Sequence, residues 1–343
     1  MTLNQTDLPR RRSLLRRVLS RAKRLIVRPA AVVKPRGLTL QPCDVRLSEH
    51  APGRTTHQQG MDRSGTILYA FNSLGYRSEE VNPAAKFRLC VIGESHAFGL
   101  GVTFEATFGY RLKQHIATAL GLGLHEVNLI NLSVGGASAD YCVRTIFRQL
   151  ADFAVDLLVF QLPREDRTEY VEGNDFLSLN VSAVDLGMIK DAPPPLLAFC
   201  DYYAPSVGQI NLMKNALMAQ AFLKERRINV VLATHNPQFS QNTLPYLQPF
   251  FAQLDPGAVL QHSFFAARAD KAADNTHAGP RSHAAFAIAA LGSYGNQLRG
   301  WGNIRLGAKI AAHAAHLQAT DPDLAYCLDF ITELHAYKDG ESA

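Results

Sequence analysis

The feature that most constrains the fold is an alternation of short apolar runs with helical stretches, which begins at residue 86. The apolar runs at 87–92, 127–132, 155–160 and 228–233 each have the length of one strand. Helical spacing of apolar residues predicts helices at 105–120, 138–153, 206–227 and 282–298. Strands that are apolar throughout and alternate with helices are typical of a parallel sheet covered on both faces. We therefore predict an α/β fold, a three-layer αβα sandwich around a mostly parallel central sheet.

Charge is distributed unevenly along the 343 residues. Residues 1–42 contain eleven basic residues and one acid, a net charge of +10, whereas the other 301 residues contain 24 basic and 29 acidic residues, a net charge of −5. The positive charge of the whole chain therefore belongs to its N-terminal arm. The body offers no electrostatic attraction for DNA or RNA, and no nucleic-acid partner is predicted.

The N-terminal arm has the pattern of a basic amphipathic helix. Apolar residues recur at helical spacing between 14 and 26, and arginines and lysines lie between them. Residues 10–28 are compatible with peripheral contact to an anionic membrane surface, with docking of a partner protein, with a transit peptide, and with a solvated extension. These alternatives stay open at this point.

The chain divides into three predicted parts. An arm and linker cover residues 1–60, the α/β domain covers 61–300, and a C-terminal helical extension covers 301–343, with helices predicted near 306–318 and 323–335. A long insertion, 162–205, separates a strand from the helix that follows it. Connections of this length are usually functional, so we expect the insertion to shape a substrate pocket.

Five scattered cysteines and no Cys-x-x-Cys pair argue against a disulfide framework or a zinc site. His313 and His316 can share a helix face, but no third ligand is evident, so no metal and no cofactor are predicted. The sequence has no apolar run of about 18 residues and no apolar signal-peptide core. We expect a cytoplasmic protein, with the inner membrane surface as the alternative that the arm suggests.

Residues suited to nucleophilic catalysis follow the predicted strands. Ser95 comes directly after the first strand in Gly93-Glu94-Ser95, and a loop of small residues, 133–138, follows the second. The carboxyl ends of parallel strands are where such sheets bind ligands. Near the C-terminus, Asp274 precedes His277 by three residues, a spacing that lets a carboxylate orient an imidazole.

These motifs resemble blocks I, II and V of the SGNH (GDSL-like) hydrolases, and 71–77 is similar to the lead-in of a bacterial subset of that family. The resemblance covers roughly residues 68–298 and implies a flavodoxin-like fold. It implies Ser95 as nucleophile, His277 as general base and then acid, and Asp274 as the residue that orients the imidazole. Gly136 falls at the block II position, whose backbone N–H belongs to the oxyanion hole.

Two positions depart from the family pattern. Glu94 stands where block I has Asp, a modest change because that acid takes no part in the proton relay. At block III, residues 161–165 read Gln-Leu-Pro-Arg-Glu instead of a Gly-x-Asn-Asp sequence. The side chain that supplies the third oxyanion donor is therefore missing from its usual place.

Two residues are candidates for the missing donor. Arg167 offers a charge-assisted donor, and its alternative is a surface ion pair with Glu169 or Asp166. Asn174 is the other candidate, in a literal Gly-Asn-Asp sequence thirteen residues past the strand, and its alternative is an ordinary turn.

The predicted activity is serine-dependent hydrolysis of an ester, either an acyl ester or an O-acetylated carbohydrate, through an acyl-enzyme. Its partner is accordingly a small ester or an acylated saccharide. Two alternatives remain: an O-acyltransferase of the same type acting on a polysaccharide, and a catalytically impaired binding or scaffold protein.

Overall fold

The predicted parallel sheet is present in a computed structural model of the chain. The structure describes residues 40–43, 59–61, 65–172, 175–181, 184, 192–234, 244–260 and 269–320. Its strands are β1 (Gln59–Met61), β2 (Leu68–Ala70), β3 (Phe87–Ile92), β4 (Val127–Asn131), β5 (Leu157–Gln161), β6 (Arg167–Glu172), β7 (Asp175–Asn180), β8 (Asn229–Ala233) and β9 (Val259–Leu260). Its α-helices are α1 (Ser95–Phe98), α2 (Phe108–Leu120), α3 (Ala139–Leu150), α4 (Pro194–Tyr202), α5 (Pro205–Glu225), α6 (Gln248–Phe251), α7 (Pro280–Gly300) and α8 (Ile304–Thr320).

Five strands lie side by side in the order β4-β3-β5-β8-β9, and every neighbouring pair is parallel. Numbered by chain order within this sheet alone, that is the 2-1-3-4-5 order of flavodoxin-like folds. The fold prediction is confirmed. The strand order reverses at β3, between β4 and β5, and such a switch point opens a crevice at the carboxyl ends of the strands.

The strands read as continuous apolar runs because both faces of the sheet are buried. Along β5, Leu157 and Val159 face a core that includes α2, α7 and α8, whereas Leu158 and Phe160 face a core that includes α3 and α5. All four side chains are fully buried. This arrangement gives the three predicted layers, with helices on both sides of one sheet.

The start of α2 and the presence of β9 differ from the predicted pattern. The helix expected from residue 105 begins at Phe108, because Thr107 adopts extended backbone and its hydroxyl accepts a hydrogen bond from the Tyr110 amide over 3.3 Å. The fifth strand, β9, was not predicted. It pairs only two residues with β8, too few to leave a recognisable period in the sequence.

In the described part of the chain β4 is the outermost strand on its side of the sheet, and side chains of the preceding segment cover its edge. Ser78 donates its hydroxyl to the Leu129 carbonyl over 3.1 Å and accepts from the Asn131 amide over 2.9 Å. Glu79 accepts from the Leu129 amide over 3.0 Å. These contacts satisfy backbone groups that an open edge would offer to other chains.

The insertion contains an antiparallel hairpin of β6 and β7, followed by helix α4. Beyond residue 300, helix α8 packs on α7 so closely that a Cβ on Gly307 would lie 2.5 Å from the Gly295 carbonyl oxygen. Glycines at this crossing therefore allow backbone-to-backbone contact. In the part of the chain that the structure describes, no helix is long and apolar enough to span a membrane. Residues 10–28 and the helix predicted at 323–335 lie outside the described residues.

Candidate active site

Ser95 is the first residue of α1 and follows β3 at the switch point of the sheet. Gly93 makes this turn possible, because a Cβ there would lie 2.7 Å from the Gln161 carbonyl oxygen and 2.8 Å from the Cβ of Ala97. The amide of Glu94 donates to the side-chain oxygen of Gln161 over 3.1 Å. The turn before Ser95 is thus tied to the carboxyl end of β5, and Ser95 itself is 7% exposed.

Arg77 supports the other end of α1 from the preceding segment. Its guanidinium donates to the carbonyl oxygens of Phe98, Gly99 and Val102 over 3.1, 2.5 and 2.7 Å, and lies 4.2 Å from the centre of the Tyr69 ring. Burial lowers the pKa of Arg77 to about 10, so the group stays protonated at neutral pH. The helix that begins at Ser95 therefore ends on a buried cation that binds its last carbonyls.

Asp274 and His277 form a paired carboxylate and imidazole. The Asp274 Oδ2 lies 2.5 Å from the His277 Nδ1, and Asp274 Oδ1 accepts from the amides of Thr276 and His277 over 2.9 and 3.0 Å. Partial burial acts to raise the pKa of Asp274, but the hydrogen bonds from these two amides and from the imidazole prevail and lower it. Asp274 is therefore an anion at neutral pH, and its bond to Nδ1 leaves the Nε2 edge of the ring for chemistry.

The Asp274–His277 pair packs against the segment that carries Ser95. The imidazole of His277 meets the ring of His96 edge to face, with 5.2 Å between the ring centres. The Ala273 amide donates to the Gly101 carbonyl over 3.0 Å, which joins the two segments a second time. The predicted nucleophile and the predicted base thus lie on adjacent segments, although they are 182 residues apart in the chain. A hydrogen bond between Ser95 Oγ and His277 stays a prediction.

The loop that carries Gly136 is attached to the same turn. The side-chain amide of Asn131 donates to the Ala97 carbonyl over 3.0 Å, and the Val134 amide donates to the Gly93 carbonyl over 3.2 Å. Gly136 has a φ of +75°, a left-handed conformation that favours glycine. The structure brings this loop beside Ser95, while the oxyanion role of Gly136 stays a prediction.

Arg167 pairs with Glu94, the residue directly before Ser95. The Arg167 side chain forms this pair instead of the surface pair with Glu169 or Asp166 that was considered as the alternative. The Glu169 carboxylate is instead bound at both oxygens by Arg144, over 2.8 and 2.6 Å. Arg167 therefore lies at the turn that presents Ser95. Asn174, the other candidate donor, lies outside the described residues.

Three supporting residues were not identified as such from the sequence: Arg77, His96 and Gln161. Each makes its contact with a residue that is 21 or more positions away in the chain, so no local spacing reveals the contact. One signal was available for Gln161, because it is a polar residue at the carboxyl end of an otherwise apolar strand, the edge where parallel sheets bind ligands.

A separate cavity of about 490 Å³ lies between β9, α7 and α8. Its lining is mostly small and apolar and includes Leu260, Ile288 and Ala314. It contains none of the predicted catalytic residues. Over the described ranges, no group of three or more His, Cys, Asp or Glu side chains is placed to hold a metal ion.

No family model and no curated protein matches this chain. Among solved structures, TesA is similar at 13% sequence identity, covering 60% of this chain and 97% of that one with a TM-score of 0.36. The psychrotrophic esterase EstA from Pseudoalteromonas sp. is similar at 16% identity, with coverages of 63% and 98% and a TM-score of 0.36. The acetylxylan esterase Axe2 from Geobacillus stearothermophilus is similar at 13% identity, with coverages of 62% and 95% and a TM-score of 0.37.

Proposed function

We propose that this chain is a serine-dependent ester hydrolase in which Ser95, His277 and Asp274 form a catalytic triad. The observation that carries the proposal is the contact between the His277 and His96 rings, because it sets the Asp274–His277 pair against the short helix that begins with Ser95. A serine at a strand-to-helix turn, an imidazole beside that turn and a carboxylate on Nδ1 are the three parts that nucleophilic acyl transfer needs.

In the proposed reaction, Ser95 Oγ attacks the ester carbonyl carbon while His277 Nε2 takes the hydroxyl proton. The tetrahedral oxyanion accepts hydrogen bonds from the backbone amides of Ser95 and Gly136. His277 then gives the proton to the leaving alcohol as the bond from carbon to the alkoxy oxygen breaks, which leaves an acyl-Ser95 ester. Water, deprotonated by His277, attacks this ester, and Ser95 recovers its proton as the carboxylic acid departs. Asp274 stabilises the imidazolium at each step.

The proposed substrate is a small ester or an O-acetylated saccharide. The hairpin of β6 and β7 reaches the carboxyl edge of the sheet, since Arg167 of β6 contacts Glu94. We therefore expect the insertion to contact the acyl or the alcohol portion of a substrate. An O-acyltransferase would use the same acyl-enzyme and differ only in the acceptor, a sugar hydroxyl in place of water.

A fluorophosphonate probe tests the proposed nucleophile. We expect the purified full chain to be labelled at Ser95, as located by mass spectrometry of the tryptic peptides, and labelling to disappear in Ser95→Ala. Ser133→Ala is the matched control, because Ser133 is also a buried serine at the carboxyl edge, on the loop after β4. Labelling that persists in Ser95→Ala, or that disappears only in Ser133→Ala, would contradict the assignment.

The acceptor is tested with an activated acetyl ester, with and without an acetyl-free oligosaccharide. Release of acetate that the oligosaccharide leaves unchanged supports hydrolysis. Acetyl transfer to the sugar that exceeds hydrolysis would favour the acyltransferase. A wild-type chain that neither labels nor turns over ester would favour the binding or scaffold alternative.

A further inference from the structure

A buried ion pair lies directly beside the proposed nucleophile. Glu94, the residue before Ser95, has a side chain that is 1% exposed, and Arg167, which begins β6, is 11% exposed. The Nη1 of Arg167 and the Oε2 of Glu94 are in direct contact. A carboxylate this deep in a protein is stable only when it is paired and hydrogen-bonded, so the position of the Glu94 side chain depends on Arg167.

The same guanidinium reaches the second loop of the site. Nη1 of Arg167 is 3.4 Å from the carbonyl oxygen of Ala137, the residue after Gly136. Arg167 thus contacts one residue adjacent to Ser95 and one residue adjacent to Gly136. Because a planar guanidinium holds its partners in a fixed geometry, a single side chain links the two loops.

We propose that Arg167 is a positioning residue, which acts through Glu94 and sets the spacing between Ser95 and the backbone amide of Gly136. This inference rests on the proposed function. It is an alternative to the role of oxyanion donor considered for Arg167, and it is suggested by the N–H groups of Nη1, which are directed at the Glu94 carboxylate and the Ala137 carbonyl. A misplacement of about 1 Å between nucleophile and oxyanion donors is enough to cost on the order of 100-fold in rate.

The backbone at Arg167 is held independently of Glu94. The next residue, Thr168, donates its hydroxyl to Asp140 on α3 over 2.8 Å, and the Glu169 amide donates to the same carboxylate over 3.2 Å. Arg144, also on α3, binds the Glu169 side chain. The start of β6 is therefore docked on α3 by its own contacts, which makes the arginine a preorganised support for the loops.

A double-mutant cycle on ester hydrolysis tests the proposal with Glu94→Gln, Arg167→Met and the combined variant. Positioning through the pair predicts that each single change lowers kcat on the order of 100-fold with KM changed far less, and that the combined variant is no slower than either. Arg167→Lys, which keeps the charge, should recover part of kcat. Thermal melting by circular dichroism verifies that the variants fold. If Arg167→Met does not fold, the isosteric Glu94→Gln and the charge-preserving Arg167→Lys are sufficient for the test.

A direct oxyanion donor gives a different pattern. Arg167→Met would then lose 10²- to 10³-fold in kcat while Glu94→Gln stays near wild type, and this result would overturn the inference. Arg144→Met is the matched control, because it removes an arginine that docks the hairpin on α3 through the Glu169 carboxylate. We expect it to lose less than about tenfold. A loss equal to that of Arg167→Met would mean that hairpin docking, not the pair, sets the geometry.

The wild-type chain separates this inference from the proposed function. Absence of probe labelling at Ser95 in the wild type would overturn both. Labelling and turnover in the wild type, combined with full kcat in Glu94→Gln, would overturn the positioning role alone.

Discussion

The loop that carries Asp274 and His277 and the turn that carries Ser95 are built in opposite ways. Asp274 makes its hydrogen bonds to residues two and three positions ahead, so its geometry is local. The Ser95 turn is held by Arg77, Gln161, Asn131 and Arg167, which come from four different parts of the chain. The base half of the proposed site is therefore set by a short motif, whereas the nucleophile half depends on the assembled fold.

The largest expected effect falls on the local half. We expect His277→Ala to lower kcat/KM for an ester by on the order of 10⁴-fold or more, because no group then takes the Ser95 proton. Its midpoint of urea unfolding should stay close to that of the wild type, since the loop that carries His277 loses one ring that is itself 20% exposed. Steady-state kinetics and urea titration by fluorescence measure the two quantities. An unchanged kcat/KM, or unfolding as severe as that of a core variant, would break the contrast between the halves.

For the nucleophile half we expect a smaller effect on activity, accompanied by an effect on stability. Arg77→Met leaves the carbonyls of Phe98, Gly99 and Val102 without their charged donor and removes the cation from the Tyr69 face. We expect a loss of roughly 3 kcal/mol or more in the free energy of unfolding, together with lower kcat. Urea unfolding and ester hydrolysis measure these.

Arg88→Met is the matched control for Arg77→Met. Arg88 donates its Nη2 to the Pro83 carbonyl over 3.0 Å at the opposite end of β3, far from α1 along the strand. Its replacement should cost about 1 kcal/mol or less and leave kcat unchanged. Equal losses in the two variants would show that Arg77 has no special role in supporting Ser95.

The smallest expected effect concerns acid stability. His283, at the start of α7, is fully buried, and its Nδ1 accepts from the Phe108 amide over 3.0 Å. Burial lowers the pKa of His283 to about 3, and the positive charge of Arg77 adds to this. The folded state therefore keeps His283 neutral down to about pH 3, whereas the unfolded chain protonates it below about pH 6.5.

The sign follows from this difference in proton binding. Between about pH 6.5 and pH 3 the unfolded chain binds the extra proton, so the stability contributed by neutral His283 is lost as the pH falls through that window. We expect His283→Asn, which keeps an acceptor for Phe108, to flatten the loss of unfolding free energy between pH 6.5 and 4. His115, whose pKa burial lowers to about 4, will maintain part of the slope. Urea unfolding of the wild type and of His283→Asn at several pH values measures this pH dependence. Parallel curves of unfolding free energy against pH for these two proteins would contradict the role of His283.

Much of the fold could be predicted because burial on both faces leaves a simple pattern. The strands at 87–92, 127–131, 157–161 and 229–233 lie inside or within a residue of the predicted runs. The hairpin of β6 and β7 was not predicted, because Arg-Thr-Glu-Tyr-Val-Glu shows no apolar alternation over its six residues. The first strand of the hairpin, β6, is stabilised by side chains that pair with α3 and with Glu94. No local sequence pattern contains these contacts.

The sequence by itself determined the parallel α/β architecture and the Asp274–His277 pair. Both depend on short-range chemistry, the burial of consecutive apolar residues in one case and a three-residue spacing in the other. The tertiary structure alone decided how the Ser95 turn is held and that Arg167 is bound to Glu94, since the partners are 21 to 73 residues apart. Contacts across such separations depend on which strand ends meet at one edge of the sheet. No local sequence pattern determines that strand order.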